Sequence, residues 1–305
     1  MITPAYINSM ASIHPGSGDA SQGYLTASEP DYKELIKNPA LRRRMSRIVK
    51  MGVACAMQCL SDTPVEEIDS IITATGLGCL ADTERFMNNL LDNREQLLTP
   101  TPFIQSTFNT VGAQIAMLCG NQGYNMTYVH RGVSFESALL DAMLRLDEGD
   151  RKVLVGAFDE MTPTSHAIHQ RLGAFRQNVG GEGAQFFLLG SEKTDKSLAR
   201  ITSPYGQRHI EEYLEEYGLS VRDIDFLIYD RSSITSDNGQ DLFRNLYFPR
   251  TPYERFKRQC GEYQTAIAFG LWRAVQKLSE DKSIRHILVR NAYQWEKSFI
   301  LVSRP

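Results

Sequence analysis

The chain has 305 residues, of which 42% are hydrophobic and 23% charged; these are globular proportions and exclude a disordered chain. The net charge of -3 at pH 7 leaves no basic field that would attract nucleic acid or an anionic membrane. Five scattered cysteines without CxxC pairs argue against a disulfide framework and a metal site. No apolar run reaches about 18 residues and no signal-like segment opens the chain, so we expect a soluble, cytoplasmic protein without a membrane span.

Strand and helix patterns alternate along the first two thirds of the chain. Apolar, β-branched runs predict strands, and apolar residues recurring every three or four positions predict helices. In chain order the prediction is a strand over Ala5–Ile13, a helix over Met45–Leu60, a strand over Ile68–Thr75, helices over Asp82–Leu91 and Phe103–Cys119, a strand over Asn125–Val129, a helix over Ser134–Leu146, and strands over Lys152–Phe158 and Ala184–Leu189.

The last third continues the alternation after a polar stretch at Ser191–Ser197. The predicted elements are a helix over His209–Tyr217, a strand over Asp225–Tyr229, a helix over Ala266–Leu278, and a β-pair of Ile284–Val289 with Phe299–Val302. Strands that alternate with helices favour an α/β fold with largely parallel sheets. The polar stretch predicts a boundary between an N-terminal half (residues 1–195) and a shorter C-terminal half (residues 196–305).

The strand–turn–helix at Asn125–Leu146 is the segment most suggestive of chemistry. A side chain at such a turn meets free backbone N–H groups and the positive end of the helix dipole. Ser134 stands there with His130 and Arg131 nearby. As a nucleophile Ser134 needs a base such as His130, whereas as the N-cap of the following helix it needs none. The common phosphate-loop, zinc-protease, hydrolase-elbow and dinucleotide motifs are absent from the sequence.

A collinear set of short motifs resembles the β-ketoacyl synthases of the thiolase fold over nearly the whole chain. In order, the motifs are Arg43–Arg47 (RRMSR), Thr101–Asn109 (TPFIQSTFN), Gly149–Gly156 (GDRKVLVG), Gly181–Ala184 (GEGA) and Lys257–Gly261 (KRQCG). Together with His130–Glu136 (HRGVSFE), the second is most similar to the compact subgroup of aryl-polyene and flexirubin-type pigment clusters. The resemblance implies a thiolase-like, five-layered αβαβα fold with two pseudo-repeated halves, and no cofactor.

The catalytic residues that the resemblance implies are missing. Ketosynthases use a Cys nucleophile and two His residues, which drive decarboxylation and stabilise the enolate. Counting back from Gly149 places the nucleophile position at Gly132, and matching the strand end places it near Val129; neither is Cys. The two His positions fall on Asp230 and Glu262, whose carboxylates would repel a developing enolate. Lys257 is retained, but condensation by this chain alone is not expected.

The resemblance therefore implies a non-catalytic subunit of the chain-length-factor kind. Its expected partners are an active ketosynthase subunit, or a second copy in a homodimer, and an acyl carrier protein. The partner surface would be the strand before the turn, with Asn125, Thr127 and Val129. The adjoining helix, Thr107–Leu118, would carry residues that face the partner's pocket, and Phe108 on it is the candidate gate of the partner's acyl tunnel. The alternative for Phe108 is an ordinary core position of an apolar helix.

Two other interpretations remain open. In the first, the chain is an active acyltransferase, hydrolase or synthase-like enzyme with altered chemistry, which uses Ser134 with His130 or Glu262. Alternatively, it is a scaffolding protein of the same gene cluster with no acyl pocket.

Overall fold

A computed structural model of the chain describes residues 2–16, 22–176, 178–204, 209–230, 242–293 and 296–305. The strands of these ranges are β1 (Ala5–Ile13), β2 (Tyr24–Leu25), β3 (Ser70–Ala74), β4 (Tyr124–Tyr128), β5 (Lys152–Asp159), β6 (Gly180–Gly181), β7 (Gly183–Gly190), β8 (Ala199–Ile201), β9 (Phe226–Tyr229), β10 (Tyr253–Arg255), β11 (His286–Tyr293) and β12 (Glu296–Ser303). The helices are α1 (Tyr32–Leu35), α2 (Pro39–Arg44), α3 (Arg47–Cys59), α4 (Leu80–Asp92), α5 (Pro100–Gln105), α6 (Thr110–Cys119), α7 (Ser134–Asp147), α8 (Pro163–Arg171), α9 (Ile210–Glu215), α10 (Leu242–Tyr247), α11 (Lys257–Cys260) and α12 (Ile267–Glu280). In the described ranges every helix is too short or too polar to traverse a lipid bilayer.

Ten strands form one mixed sheet in the order β10-β9-β11-β12-β8-β1-β7-β5-β3-β4. The expectation of largely parallel sheets is wrong, because five of its nine strand pairings are antiparallel. In the first half β4, β3 and β5 are parallel, and β7 and β1 follow antiparallel. The second half repeats this pattern, with β10, β9 and β11 parallel and β12 and β8 antiparallel. The halves join where β1 pairs antiparallel with β8. The repeat agrees with the expected pseudo-twofold relation, while the division at residues 195 and 196, between β7 and β8, stays a proposal.

Helices cover both faces of each half, which produces five layers. The central layer is α7 and α12, whose apolar faces share one core with Val153 and Val155 of β5 and with Ile287 and Val289 of β11. Successive side chains of a strand point to opposite faces. Leu154 of β5 therefore packs with α3 and α6 in a second core. In the same way Leu288 of β11 packs with α9 in a third.

The predicted elements are confirmed apart from two details. The predicted helix Phe103–Cys119 is two helices, α5 and α6, because the chain turns at residues 106–109. There the Ser106 hydroxyl donates to the Phe103 carbonyl, a local bond that competes with helix continuation. Ser134 is not the N-cap of its helix: it is the first residue of α7, and Val133 occupies the cap position.

Two of the short sequence motifs meet in the structure as an ion pair. Arg47, at the start of α3, donates from two guanidinium nitrogens to the carboxylate of Glu182, at 2.8 and 2.5 Å. The Glu182 side chain is fully buried and also accepts the backbone N–H groups of Ala27 and Met161. Because a buried carboxylate needs such partners, these motifs have a structural role that is independent of catalysis.

A second pair of motifs meets at glycines. A Cβ atom on Gly181 would lie 2.0 Å from the Cys260 carbonyl oxygen, and one on Gly261 would lie 2.5 Å from the Gly181 Cα. Gly261 also has a φ of 81°, in the left-handed region that favours glycine. The backbone before β7 and the backbone after α11 can therefore touch only because both residues lack side chains.

Glu160, after β5, is a buried carboxyl group beside the Arg47–Glu182 pair. Its Oε1 accepts the Ala81 N–H at 2.9 Å. Burial raises the pKa of Glu160 to about 7, and the nearby Asp82 and Glu182 carboxylates add to the increase while Ala81 and Arg47 oppose it.

We expect Glu160→Gln to stabilise the protein above pH 7 by up to about 3 kcal/mol. A carboxyl whose folded-state pKa is raised contributes stability below its ordinary pKa and loses it as pH rises through the folded-state value. The neutral amide avoids that loss. Urea denaturation at pH 5 and pH 8 measures the difference, with exposed Glu192→Gln as control. Identical pH dependence of wild type and Glu160→Gln would contradict this account.

Candidate functional site

Gly132, in the turn between β4 and α7, has no room for a side chain. Gly132 lies in a buried position of the 3-10 turn Arg131–Val133. A Cβ atom on Gly132 would lie 2.1 Å from Cδ1 and 2.5 Å from Cβ of Tyr293, at the end of β11. Such distances are far below van der Waals contact. The Tyr293 side chain therefore occupies the space that a cysteine at this position would need.

Ser134 and His130 do not form a nucleophile–base pair. Ser134 is fully buried, and its Oγ donates to the Arg131 carbonyl at 2.8 Å and accepts the His130 backbone N–H at 2.7 Å. The His130 ring instead lies 3.2 Å from the hydroxyl of Ser137. Ser134 thus closes the turn, and its predicted use as a nucleophile gains no support from this geometry.

Asp230 follows β9 and is fully buried. Its Oδ1 accepts two bonds from the Arg255 guanidinium, at 3.0 Å from Nε and 2.5 Å from Nη2. Its Oδ2 accepts the Lys257 backbone N–H at 3.1 Å. Asn178 bridges the arrangement, since its carbonyl oxygen accepts from Arg255 at 3.3 Å. This carboxylate is therefore held by a fixed cation.

Glu262 is the second buried carboxylate of the same cluster. Its Oε1 accepts from the Lys257 ammonium at 2.6 Å, and its Oε2 accepts from Asn178 at 3.1 Å. The Lys257 ammonium also donates to the Ala292 carbonyl, at 3.2 Å. Burial raises the pKa of Glu262, and the charge of Lys257 opposes the increase. Because Ala292 precedes Tyr293, the chain of contacts runs continuously from Gly132 to Glu262.

The structure thus brings together four of the residues singled out in the sequence: Gly132, Asp230, Lys257 and Glu262. We call Asp230, Arg255, Lys257, Glu262 and Asn178 the charge-paired cluster. Its two carboxylates are matched by two cations. An arrangement of this kind can support neighbouring backbone, but it presents neither an activated nucleophile nor a donor pair aimed at a developing oxyanion.

Cysteine and metal chemistry find no better place in the described ranges. All five cysteines are buried, and burial raises the pKa of Cys260, which lies beside the charge-paired cluster, well above its usual value. A thiol in this condition is a poor nucleophile. Within the same ranges no group of three or more His, Cys, Asp or Glu side chains could hold a metal ion.

Sequence reasoning missed Arg255, Asn178 and Tyr293. Arg255 lies two positions before Lys257, so the motif at Lys257–Gly261 indicates its neighbourhood. The only sign of a cationic partner was the carboxylate of Asp230 at a position where the resemblance implies a histidine. Asn178 and Tyr293 contact the site from distant parts of the chain, and no local pattern identifies them.

The predicted partner-facing residues lie on β4, which is an edge strand of the ten-stranded sheet. Asn125 donates to the Gly112 carbonyl of α6 at 3.0 Å, and the Thr127 hydroxyl lies 2.8 Å from that of Thr73. Val129, just after the strand, is 40% exposed. Phe108 lies in the turn before α6; it is 47% exposed and therefore not a core residue.

We expect Gly132→Ala to lower the free energy of unfolding by about 1–3 kcal/mol, because the added methyl group collides with Tyr293. Combining it with Tyr293→Gly removes both the ring and the close Cβ atom. Urea denaturation of wild type, both single variants and the double variant should therefore give a coupling energy of about 1 kcal/mol or more. Gly16→Ala is the matched control, since its Cβ would meet Ser28 at an ordinary 3.5 Å. Additive effects of the two substitutions would exclude the steric explanation.

Comparisons with known proteins place the chain in a family. A family model described as the N-terminal domain of β-ketoacyl synthase matches residues 20–179. Among curated proteins, no sequence matches the chain.

Solved structures share the fold at low sequence identity. The ishigamide ketosynthase/chain length factor superposes with a TM-score of 0.81 at 16% identity, covering 99% of each chain. A β-ketoacyl synthase from Burkholderia phymatum STM815 gives a TM-score of 0.77 at 14% identity, covering 99% of this chain and 100% of its own. The ketosynthase ApeO in complex with its chain length factor ApeC, from Xenorhabdus doucetiae, gives a TM-score of 0.59 at 14% identity, with 99% of each chain covered. With the family model spanning more than half of its length, the chain belongs to the β-ketoacyl synthase family.

Proposed function

We propose that this protein is a non-condensing partner subunit of a ketosynthase, acting as a chain length factor does. It would work in carrier-protein-dependent fatty acid or polyketide biosynthesis, of the aryl-polyene type. The observation that supports the proposal is the filled site: Tyr293 fills the space beside Gly132, one of the two candidate nucleophile positions, and the Asp230 and Glu262 carboxylates are paired with Arg255 and Lys257.

The open edge of β4 supports the pairing. One side of this strand bonds to β3, and the other has no neighbouring strand in the described ranges. An edge with free backbone N–H and C=O groups is a template for another strand. Met126 and Val129 are 41% and 40% exposed along this edge, and Phe108 is 47% exposed nearby. Grouped exposed apolar side chains of this kind indicate an interaction surface.

The similar structures agree with this proposal by analogy. One is described as a ketosynthase with its chain length factor, another as a ketosynthase of a type II system in complex with its acyl-carrier protein. Similarity at 14–16% identity shows the fold, so the partner is inferred from the filled site and the open edge.

We propose a basic groove as the contact surface for a carrier protein that is acidic on its surface. It is lined by Lys33 of α1, Arg42 and Arg43 of α2, and Lys50 of α3, with Asp31 as an acidic member. Complementary charge of this kind steers association and fixes orientation more than it adds affinity.

The cytoplasm is the compartment we propose for this assembly. All five cysteines are unpaired in the structure. Free, buried thiols suit a reducing environment.

Acyl transfer to the protein is the direct test. Incubation with acyl carrier protein that bears a radiolabelled acyl chain should leave this chain unlabelled, while an active ketosynthase co-expressed with it forms the acyl-enzyme and co-purifies with it. A stoichiometric adduct on this chain that disappears in Ser134→Ala would establish the alternative, an altered acyltransferase or hydrolase. A stable homodimer that binds none of the co-expressed ketosynthases would contradict the heterodimer proposal.

Met126→Arg should weaken association with the ketosynthase at least about tenfold, because the interface would have to bury an unpaired charge. Leu198→Arg is the matched control: Leu198 is 43% exposed, close to the 41% of Met126, but lies before β8 and away from the β4 edge. Analytical ultracentrifugation of the co-expressed pair measures both. Equal effects of the two substitutions would place the interface elsewhere.

Phe108→Ala in the complex should shift products toward longer chains, since a smaller side chain leaves room for additional methylenes at about 0.8 kcal/mol each. Phe108 is half exposed in the isolated chain, so we expect the melting temperature of that chain to change little. Mass spectrometry of the products gives the length distribution, and Met87→Ala, at the same 47% exposure on α4, is the control. An unchanged distribution from an intact complex would exclude Phe108 as the gate.

A further inference from the structure

A cleft of about 520 Å³ opens between the α2–α3 segment on one side and α5 and α6 on the other. None of the side chains that line it belongs to the Gly132 turn or to the charge-paired cluster. Its volume lies within the range of about 300–1,000 Å³ that is typical of small-molecule sites. The cleft is therefore a separate feature from the ketosynthase-like site.

The floor of the cleft is apolar in its chemistry. Met45 and Val49 are 6% and 1% exposed, and they form it together with Thr110. The Thr110 hydroxyl is already engaged, since it lies 2.9 Å from the Thr107 hydroxyl and 3.3 Å from the Ile104 carbonyl. A ligand that reaches the floor therefore meets methyl and methylene groups and no polar atom that needs a partner.

The rim combines apolar groups with one cation. Ile104 and Met117 are 64% and 67% exposed and place apolar side chains at the opening of the cleft. Arg44 lines the same rim and is exposed; within the described ranges its guanidinium has no acidic partner. Its carbonyl accepts from the side chain of Gln105, and this bond ties α5 to the end of α2.

We propose that this cleft binds an amphipathic monoanion, that is, a carboxylate attached to an alkyl chain. The alkyl chain would lie on Met45 and Val49, under Ile104 and Met117, and the carboxylate would meet Arg44. Methionine suits such a site because its flexible thioether adapts to chains of different shape. The inference goes beyond the proposed partner function, since neither β4 nor Phe108 contributes a side chain to the cleft.

Binding of the fluorescent fatty acid cis-parinaric acid to the full chain tests the proposal. Wild type should bind it saturably, and dodecanoate should displace it more effectively than dodecan-1-ol, which has the same chain without the charge. Arg44→Gln should lower the affinity for dodecanoate about three- to tenfold and change the affinity for dodecan-1-ol less than about twofold. Arg171→Gln is the matched control, because Arg171 is an exposed arginine at the end of α8, as Arg44 is at the end of α2, and does not line this cleft.

Filling the cleft separates this site from others on the protein. Gln114→Trp, on the wall from α6, and Thr101→Trp, at the exposed rim, should each reduce probe affinity at least about tenfold. Circular dichroism and the melting temperature identify which variants remain folded. Two variants are used so that one can be tested if the other fails to fold. Absence of saturable binding, full binding by both folded tryptophan variants, or equal loss of acid and alcohol in Arg44→Gln would each overturn the proposal. Co-purification with the ketosynthase is measured in parallel, so that failure here is distinguishable from failure of the partner proposal.

Discussion

The burial of α7 and α12 between the two halves of the sheet is the constraint on which the rest of the structure depends. Both helices contribute to one core with strands of each half, so neither half can close its apolar face alone. This packing sets the turn before α7 against the end of β11, where Gly132 meets Tyr293. The segment that leads into α12 carries Lys257 and Glu262, and it lies against the residue that follows β9. The packing of the two central helices thereby brings Gly132 and the charge-paired cluster together.

The charge-paired cluster is balanced in charge. Asp230 is matched by Arg255 and Glu262 by Lys257, and Asn178 links the two pairs. A buried ion pair contributes little stability relative to well-packed apolar groups, yet removing one member leaves an uncompensated charge at a cost of about 3–5 kcal/mol. Each buried charge of the cluster is therefore tolerated only because the opposite charges are present.

The sequence predicts the fold better than it predicts the site. The apolar runs of β5 and β11 identify strands that are buried on both faces, and the collinear motifs identify the family's architecture. The break between α5 and α6 was missed because Ser106 and its neighbours form local side-chain bonds that helical periodicity does not report. Pairings such as Arg255 with Asp230, or Tyr293 with Gly132, join residues whose proximity arises only after the sheet and the central helices assemble. Local patterns contain no information on such contacts.

The mutual dependence within the charge-paired cluster has a consequence for how the protein can be altered. A side chain at Gly132 requires a smaller residue at Tyr293, and replacement of Asp230 or Glu262 leaves Arg255 or Lys257 without its carboxylate. Taken one at a time, each substitution gives a less stable protein, because a buried cation is uncompensated or a new side chain collides with a ring. Only the joint exchange of both members of a pair avoids these losses, so this part of the molecule resists change by single substitutions.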